Sequence, residues 1–197
     1  MIPLRPSRWA AILIVICFAA SSPGCKSYLH LDPLRKPAEY YPLTIGNRWV
    51  YIDSTGTELE EVLSDHIGEY FYNSKTRLGT SHVNDGVMQA NFHKGIARSP
   101  RHLIKKPLTV GAIWRAEDLL YEITDTGKRI QVRAGIFEDC LEVRVRHQRE
   151  FVTHREKGSV ETYVTVTFAP GVGPVEWVTR QGNRIIYRKE LVRYYLG

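Results

Sequence analysis

At 197 residues the chain is long enough for one folded domain and short for two. Its 43% hydrophobic and 24% charged residues are the composition of an ordinary folded protein, which excludes an intrinsically disordered chain. The formal net charge of +6 is modest and basic residues alternate with acidic ones, so no one-signed stripe is available to follow a phosphate backbone, and nucleic acid is excluded as a partner.

The first 24 residues have the parts of an export signal. Arg5 and Arg8 supply positive charge, and residues 9–20 form an uncharged apolar run. This run is too short to span a bilayer, which takes about 20 residues in a helix. We therefore predict that residues 1–24 are a signal peptide that is removed from the mature protein.

Cys25 follows the signal peptide and is the predicted site of lipid attachment. The tetrad at 22–25 resembles the lipobox of bacterial lipoproteins, although Ser22 stands where that family prefers Leu and Pro23 is uncommon at the second position. Lipid on Cys25, including palmitate, would hold the protein on a membrane, because each buried methylene contributes about 0.8 kcal/mol. The alternative is plain secretion with a free Cys25 thiol.

Lys26 bears on which membrane carries the protein. Family rules that keep some lipoproteins at the inner membrane involve Asp at this position, so by that resemblance we predict an outer-membrane lipoprotein facing the periplasm. Another membrane anchor, or secretion, is the alternative. Residues 25–39 are predicted to be the lipidated Cys and a flexible tether, in which Pro33 and Pro37 disfavour helix.

Residues 40–197 are predicted to form one all-β domain. The clearest strand spans 159–168, where Val160, Thr162 and Val164 share one side. Turn residues at short intervals favour a meander: a single antiparallel curved sheet, a half-barrel or a sandwich. A helical turn is tolerated only at residues 116–120. The other predicted strands are residues 49–53, 58–64, 69–75, 87–93, 113–117, 120–124, 129–133, 140–148, 175–180 and 184–195.

The sequence contains one internal echo. Residues 42–49 read PLTIGNRW and residues 107–114 read PLTVGAIW, so Pro, Leu, Thr, Gly and Trp recur in register. The glycine permits a tight turn, and the tryptophan opens the next strand with a large apolar side chain for the core. Two interpretations stay open: two duplicated β halves, or one strand-entry device used twice without duplication.

Three segments together resemble a widespread, uncharacterised group of exported bacterial proteins. They match its PLxxGNxWxY opening at residues 42–51, its AGxFxxCxxV strand at 134–143 and its APGVGxV turn at 169–175. The resemblance implies a large curved antiparallel sheet, similar in outline to the periplasmic lipoprotein carriers and receptors of the LolA/LolB kind. The group has no established reaction, so the motifs imply core anchors and a turn, not site residues.

The sequence shows no constellation of catalytic or metal-binding residues. Its seven histidines are scattered, and no HExxH, CxxC, Gly-x-Ser-x-Gly or phosphate-loop motif is present. We therefore predict no catalytic residue, no metal and no cofactor. Cys140 lies in an alternating strand and is expected to be a small buried side chain, with a disulfide to Cys25 as the alternative.

Aromatic residues suggest one place for a ligand. Tyr163, Trp177, Tyr187 and Tyr195 all fall in predicted strands, where they either face a hydrophobic ligand or form the core. We predict a non-enzymatic, lipid-anchored envelope protein that binds a hydrophobic ligand or a partner protein, or serves as a structural envelope component.

The alternative is a periplasmic hydrolase with a dispersed site, for instance His147 with Glu150 or Asp139. Side chains directed into one cleft would favour the hydrolase. An open apolar groove would favour ligand binding, and a filled interior would favour a scaffold.

Overall fold

The computed structural model describes residues 35–147 and 160–197. Thirteen strands and one short 3-10 helix, η1, lie within these two ranges, and no α-helix does. The elements are η1 (Pro37–Tyr40), β1 (Arg48–Asp53), β2 (Glu58–Val62), β3 (Asp65–Ile67), β4 (Tyr70–Asn73), β5 (Leu78–Val83), β6 (Gly86–His93), β7 (Ile96–Lys105), β8 (Ile113–Ala116), β9 (Leu119–Val132), β10 (Gly135–His147), β11 (Thr162–Ala169), β12 (Gly173–Gln181) and β13 (Arg184–Tyr195). The predicted signal peptide, Cys25 and most of the predicted tether lie outside the described residues.

The strands form two antiparallel sheets. The eight-stranded sheet has the order β2-β1-β13-β12-β11-β10-β9-β8, and the five-stranded sheet runs β3-β4-β5-β6-β7. Neighbouring strands in the smaller sheet are consecutive in the chain, and this sheet is inserted between β2 and β8. In the larger sheet the hairpin β1–β2 joins the meander β8–β13 through the pairing of β1 with β13. The predicted all-β antiparallel meander is confirmed.

The structure differs from the sequence prediction in three additional strands and in one long strand that the sequence divides into two. β3, β5 and β7 were not predicted: β3 has three residues, and β7 carries Pro100 and a polar sequence without clear alternation. The predicted strands 120–124 and 129–133 are parts of the one continuous strand β9, and the pairing of β9 with β10 has register shifts near residues 125–128. Turn residues there produce bulges instead of a turn, because the long β10 keeps β9 paired on both sides of them.

One side of the eight-stranded sheet faces the core, and we call it the core-facing side. Trp49, Tyr51 and Leu191 on this side are almost fully buried. Val87 and Ile104 of the smaller sheet belong to the same cluster of buried side chains, so the two sheets share one core. Burial of such side chains contributes about 1.5–3 kcal/mol each and is the main source of stability.

The internal echo has the same structure in both copies. Gly46 and Gly111 have φ values of 93° and 86°, which favour glycine, and each donates a backbone hydrogen bond of 2.8 Å, to Leu63 O and Ile123 O respectively. A tryptophan follows three residues later and is buried in each case. The structure therefore contains the same turn and buried tryptophan twice, at β1 next to the edge strand β2 and at β8, the edge strand on the other side of the sheet.

The residues before β1 are packed on the domain. Pro37 and Tyr40 of η1 are buried, and Gly171 N donates to Glu39 O at 2.6 Å. Arg35 forms an ion pair of 2.9 Å with Asp139. Residues 35–39, which the sequence assigns to the tether, are thus held by the domain through contacts that only the folded chain brings together.

Candidate functional site

Two of the four aromatic residues nominated as ligand-facing lie on the core-facing side. Trp177 is directly opposite Lys189 in the pairing of β12 with β13, and Tyr187 is two residues along the same strand from Lys189. Side chains two apart in a strand point the same way, so Trp177 and Tyr187 share this side. Trp177 contacts the ring of Tyr51 edge-on, with 4.9 Å between ring centroids.

The other two nominated residues lie on the opposite side of the sheet. In β11, Val166 is opposite Trp177, so Tyr163, three residues earlier, points to the other side of the sheet. Tyr195 is opposite Arg48, which points away from the side that holds Trp49. Each ring has a guanidinium group over one face: that of Arg144 lies 5.0 Å from the centroid of Tyr163, and that of Arg48 lies 6.0 Å from the centroid of Tyr195, which is itself 57% exposed. The structure therefore does not bring the four residues together around one ligand.

A largely shielded cation lies beside Trp177. The Lys189 ammonium lies 3.6 Å from the Trp177 ring centroid and 4.4 Å from that of Tyr51. It also forms a 2.9 Å ion pair with Glu61 of β2. The ammonium occupies the aromatic surfaces that an acyl chain would need, and the cluster joins β1, β2, β12 and β13.

The tyrosine of this cluster is neutral. Burial raises the pKa of Tyr51 well above its ordinary value, and the nearby carboxylate of Glu61 raises it further. The Tyr51 hydroxyl keeps its proton and donates a hydrogen bond of 3.1 Å to Pro174 O. Tyr51 therefore acts as an anchor between strands and is not poised as a base.

The hydrolase hypothesis depends on His147, whose observed partner is a different residue. His147 Nδ1 lies 3.1 Å from Asp118 Oδ2, and both side chains are more than half exposed. Asp139 lies eight residues away along the same strand, roughly 25 Å at the rise of a β-strand. Glu150 lies outside the described residues. His147 and Asp139 therefore cannot act on one substrate atom.

Cys140 is buried, as the alternating pattern predicts. Its side chain is inaccessible to solvent, and burial raises the pKa of the thiol to about 12. Its Sγ lies 3.7 Å from Glu138 O, at the distance of a weak hydrogen bond. A thiol with this pKa is almost entirely protonated at neutral pH and is not an activated nucleophile.

The surface of the described domain includes two open clefts of similar volume. The first, of about 390 Å³, lies beside the β1–β2 turn and contains Arg133 and Arg188, both ion-paired with Glu190 at 3.1 and 3.4 Å. The second, of about 320 Å³, is lined by residues 105–107 and 109–114. The first cleft is lined largely by polar and charged groups and the second by a mixture of apolar and basic side chains. Both are open to solvent, so neither resembles the enclosed apolar pocket of a lipid carrier.

The second cleft borders the edge strand β8. In the sequence, only the internal echo draws attention to the residues of this strand. Val110 and Ile113 are 61% and 57% exposed, which is high for large apolar side chains. Lys106 and Arg115 are also exposed. Only the topology reveals that β8 ends a sheet, because an edge strand and an internal strand can have the same alternation.

Within residues 35–147 and 160–197, no set of three or more His, Cys, Asp or Glu side chains is arranged to hold a metal ion. The same ranges contain no helix of the length and apolar character needed to cross a membrane.

Comparisons with known proteins give two distant structural likenesses. No protein-family model matches the sequence, and neither does any curated protein. A Bacteroides fragilis structure, assigned as an exported protein with a YmcC-like fold, aligns at TM-score 0.43 and 12% identity over 79% of this chain and 98% of its own. A Parabacteroides distasonis structure, assigned as a lipoprotein, aligns at TM-score 0.41 and 14% identity over 82% and 100% respectively. Superpositions this loose do not establish a common fold.

Proposed function

We propose that this protein is a lipid-anchored envelope protein whose β domain is a scaffold or partner-binding module, not a carrier of an enclosed hydrophobic ligand. The observation that supports this choice is the packing around Trp177. Its ring contacts Tyr51 and the Lys189 ammonium, so side chains of the protein itself fill the place where an acyl chain would lie. A binding function is then left to the exposed surfaces and edges of the sheets.

The position of Arg35 fits attachment through Cys25. Arg35 is bonded to Asp139 near the start of β10, at the end of the larger sheet where β1 begins and β13 ends. Nine residues lie between Cys25 and Arg35, so an extended chain from one to the other reaches at most about 35 Å. A lipid on Cys25 would therefore keep Arg35 within about 35 Å of the membrane surface.

The anchor is tested by metabolic labelling with palmitate. We expect the wild-type protein to be labelled and Cys25→Ala to be unlabelled, because Cys25 is the proposed acceptor. Cys17→Ala is the matched control: Cys17 lies in the predicted signal peptide, so its loss should leave labelling unchanged. An unlabelled wild-type protein would refute lipid anchoring, whatever the activity of the domain.

The outer-membrane location, with the domain facing the periplasm, is part of the proposal and has its own test. Density separation of the two envelope membranes should place the wild-type protein in the outer-membrane fraction. Lys26→Asp is expected to shift the protein to the inner membrane, because Asp directly after the lipidated cysteine keeps some bacterial lipoproteins at that membrane. Wild-type protein found only in the inner membrane would contradict the outer-membrane location.

The filled interior is tested by chemical extraction. We expect organic extraction of the purified protein, followed by mass spectrometry, to release no lipid in stoichiometric amount, because the ring of Trp177 is already covered. An unrelated lipoprotein purified in the same detergent gives the background. Stoichiometric release of one lipid class would contradict the scaffold proposal and restore the carrier interpretation.

A further inference from the structure

β8 presents one free hydrogen-bonding edge. It pairs only with β9 among the described residues, through a hairpin in which Ala116 is opposite Leu119. In an antiparallel pair the residues alternate between those bonded to the partner and those whose N–H and C=O point away. By this alternation the backbone groups of Ile113 and Arg115 point outward from the sheet.

The first copy of the strand-entry device shows that the corresponding edge of β1 pairs with an antiparallel strand. Aligning Trp49 with Trp114 makes Arg48 the equivalent of Ile113 and Val50 the equivalent of Arg115. In the first copy these two positions are paired with Tyr195 and Arg193 of β13, an antiparallel strand. The two copies share their turn and their hairpin, and they differ because only the first has this third strand.

We infer that the edge of β8 binds an extended segment of a partner protein, which adds to the sheet as an antiparallel strand in the position that β13 occupies beside β1. Main-chain hydrogen bonds to Ile113 and Arg115 would supply part of the affinity, and the cleft at residues 105–114 would receive side chains. This surface is at the end of the sheet away from Arg35, since β8 pairs with the first four residues of β9.

The charge of the edge defines the chemistry of the segment. Lys106 and Arg115 are exposed and form no ion pair within the described ranges, while Lys105 is 3.7 Å from Asp85. Acidic residues occur at the turn, at Glu117 and at Asp118, and the latter is occupied by His147. In a segment that alternates acidic and apolar residues, the acidic side chains would lie on the side of the sheet that carries Arg115 and Ile113, and the apolar side chains would lie on the core-facing side beside Trp114.

A second copy of this chain fits the edge less well. Two β8 edges would bring like charges together through Arg115 and Lys106, which is unfavourable. The other edge of the same sheet, β2, carries three glutamates, and each is already ion-paired, with Arg193, Lys75 and Lys189 as partners. We therefore commit to an acidic, extended segment of another protein.

The experiment uses the full-length protein in detergent micelles and a fluorescent peptide of alternating Glu and Val. We expect saturable binding by fluorescence anisotropy. Two matched peptides define the mode: one has Lys in place of Glu, and one keeps the Glu/Val sequence but is N-methylated at alternate backbone amides. Both should bind at least about tenfold more weakly, because one loses the charge match and the other loses strand pairing.

Variants of the protein locate the site. The double variant Lys106→Glu, Arg115→Glu should lower affinity at least about tenfold, whereas Arg184→Glu, an exposed arginine at the start of β13, should leave it unchanged. Hydrogen exchange at Ile113 and Arg115 should slow when the Glu/Val peptide binds.

Three results would overturn the inference: absence of saturable binding, equal binding of the N-methylated peptide, or unchanged binding by the double variant. A dimer in light scattering that the double variant abolishes would assign the edge to a second copy instead. None of these outcomes depends on palmitate labelling, so the lipid anchor and the strand-acceptor edge can fail separately.

Discussion

The turns at residues 42–49 and 107–114 share their local hydrogen bonds and differ in what covers them. At the first, the Asn47 side chain donates to Pro42 O and accepts from Gly197 N, both at 3.0 Å, and β13 covers the edge of β1. At the second, Ala112 takes the place of Asn47, and among the described residues β8 pairs with no strand other than β9, although the Trp114 indole donates to His102 O of β7 at 3.0 Å. Local sequence sets the turn, whereas the neighbouring strand decides whether the edge is closed.

Hydrogen exchange should show the largest difference between the two copies. The outward amides of Arg48 and Val50 are paired with β13, whereas those of Ile113 and Arg115 face away from β9. We expect exchange at Ile113 and Arg115 to be at least about 10³-fold faster, because paired amides in a closed sheet exchange only on extensive unfolding. NMR on the unliganded protein measures the ratio; equally slow exchange at both pairs would mean that the β8 edge is covered.

Replacing the two tryptophans should lower the stability of the protein by different amounts. Trp49 is 1% exposed and its indole N–H donates to Val172 O at 2.7 Å, so Trp49→Ala should lower the free energy of unfolding by about 3–5 kcal/mol. Trp114 stacks on Tyr121 near the sheet edge, and we expect Trp114→Ala to cost at least about 1 kcal/mol less. Urea denaturation checks both; equal losses would mean that the two tryptophans are equally enclosed.

The residue that differs inside the device gives a smaller effect. Asn47→Ala leaves Pro42 O without its donor and Gly197 N without its acceptor, and should cost about 2 kcal/mol. The reciprocal change Ala112→Asn should shift stability by less than about 0.5 kcal/mol, because Ala112 is only half-buried. The same urea titrations apply, and a neutral Asn47→Ala would show that the C-terminal contact does not stabilise the first copy.

Replacing the two turn glycines should lower the stability of the protein by nearly equal amounts. Gly46 and Gly111 have φ values near +90°, and an added Cβ would meet nothing within 4 Å at either site. Gly46→Ala and Gly111→Ala should each cost about 1 kcal/mol through backbone strain alone, and the two losses should agree within about 0.5 kcal/mol. Thermal or urea unfolding measures the pair; a neutral change at one site only would contradict the shared local geometry.

Much of the fold could be predicted from local sequence. β13 has the predicted bounds of 184–195, and all of β11 except Ala169 lies within the predicted segment 159–168. The echo predicted a turn and a buried tryptophan at two places, and both are present. β7 was missed because Pro100 and exposed polar residues hide a strand that is held by pairing with β6.

The candidate site was less predictable than the fold. Tyr163 and Trp177 are both in strands, as expected, yet they lie on opposite sides of the sheet, since β11 and β12 pair in a register that sequence does not reveal. Lys189 also gave no local sign that it would occupy the space between Tyr51 and Trp177. Its position follows from the pairing of β13 with both β12 and β1.

By itself the sequence determined the strands that alternate clearly and the two glycine turns, because side-chain alternation and positive φ are properties of neighbouring residues. Tertiary structure alone decided that β13 returns to pair with β1 and leaves β8 at an edge. Every residue except proline carries the same backbone N–H and C=O groups, so local sequence does not say which strand will satisfy them. Those partners are set by packing between residues that lie far apart in the chain.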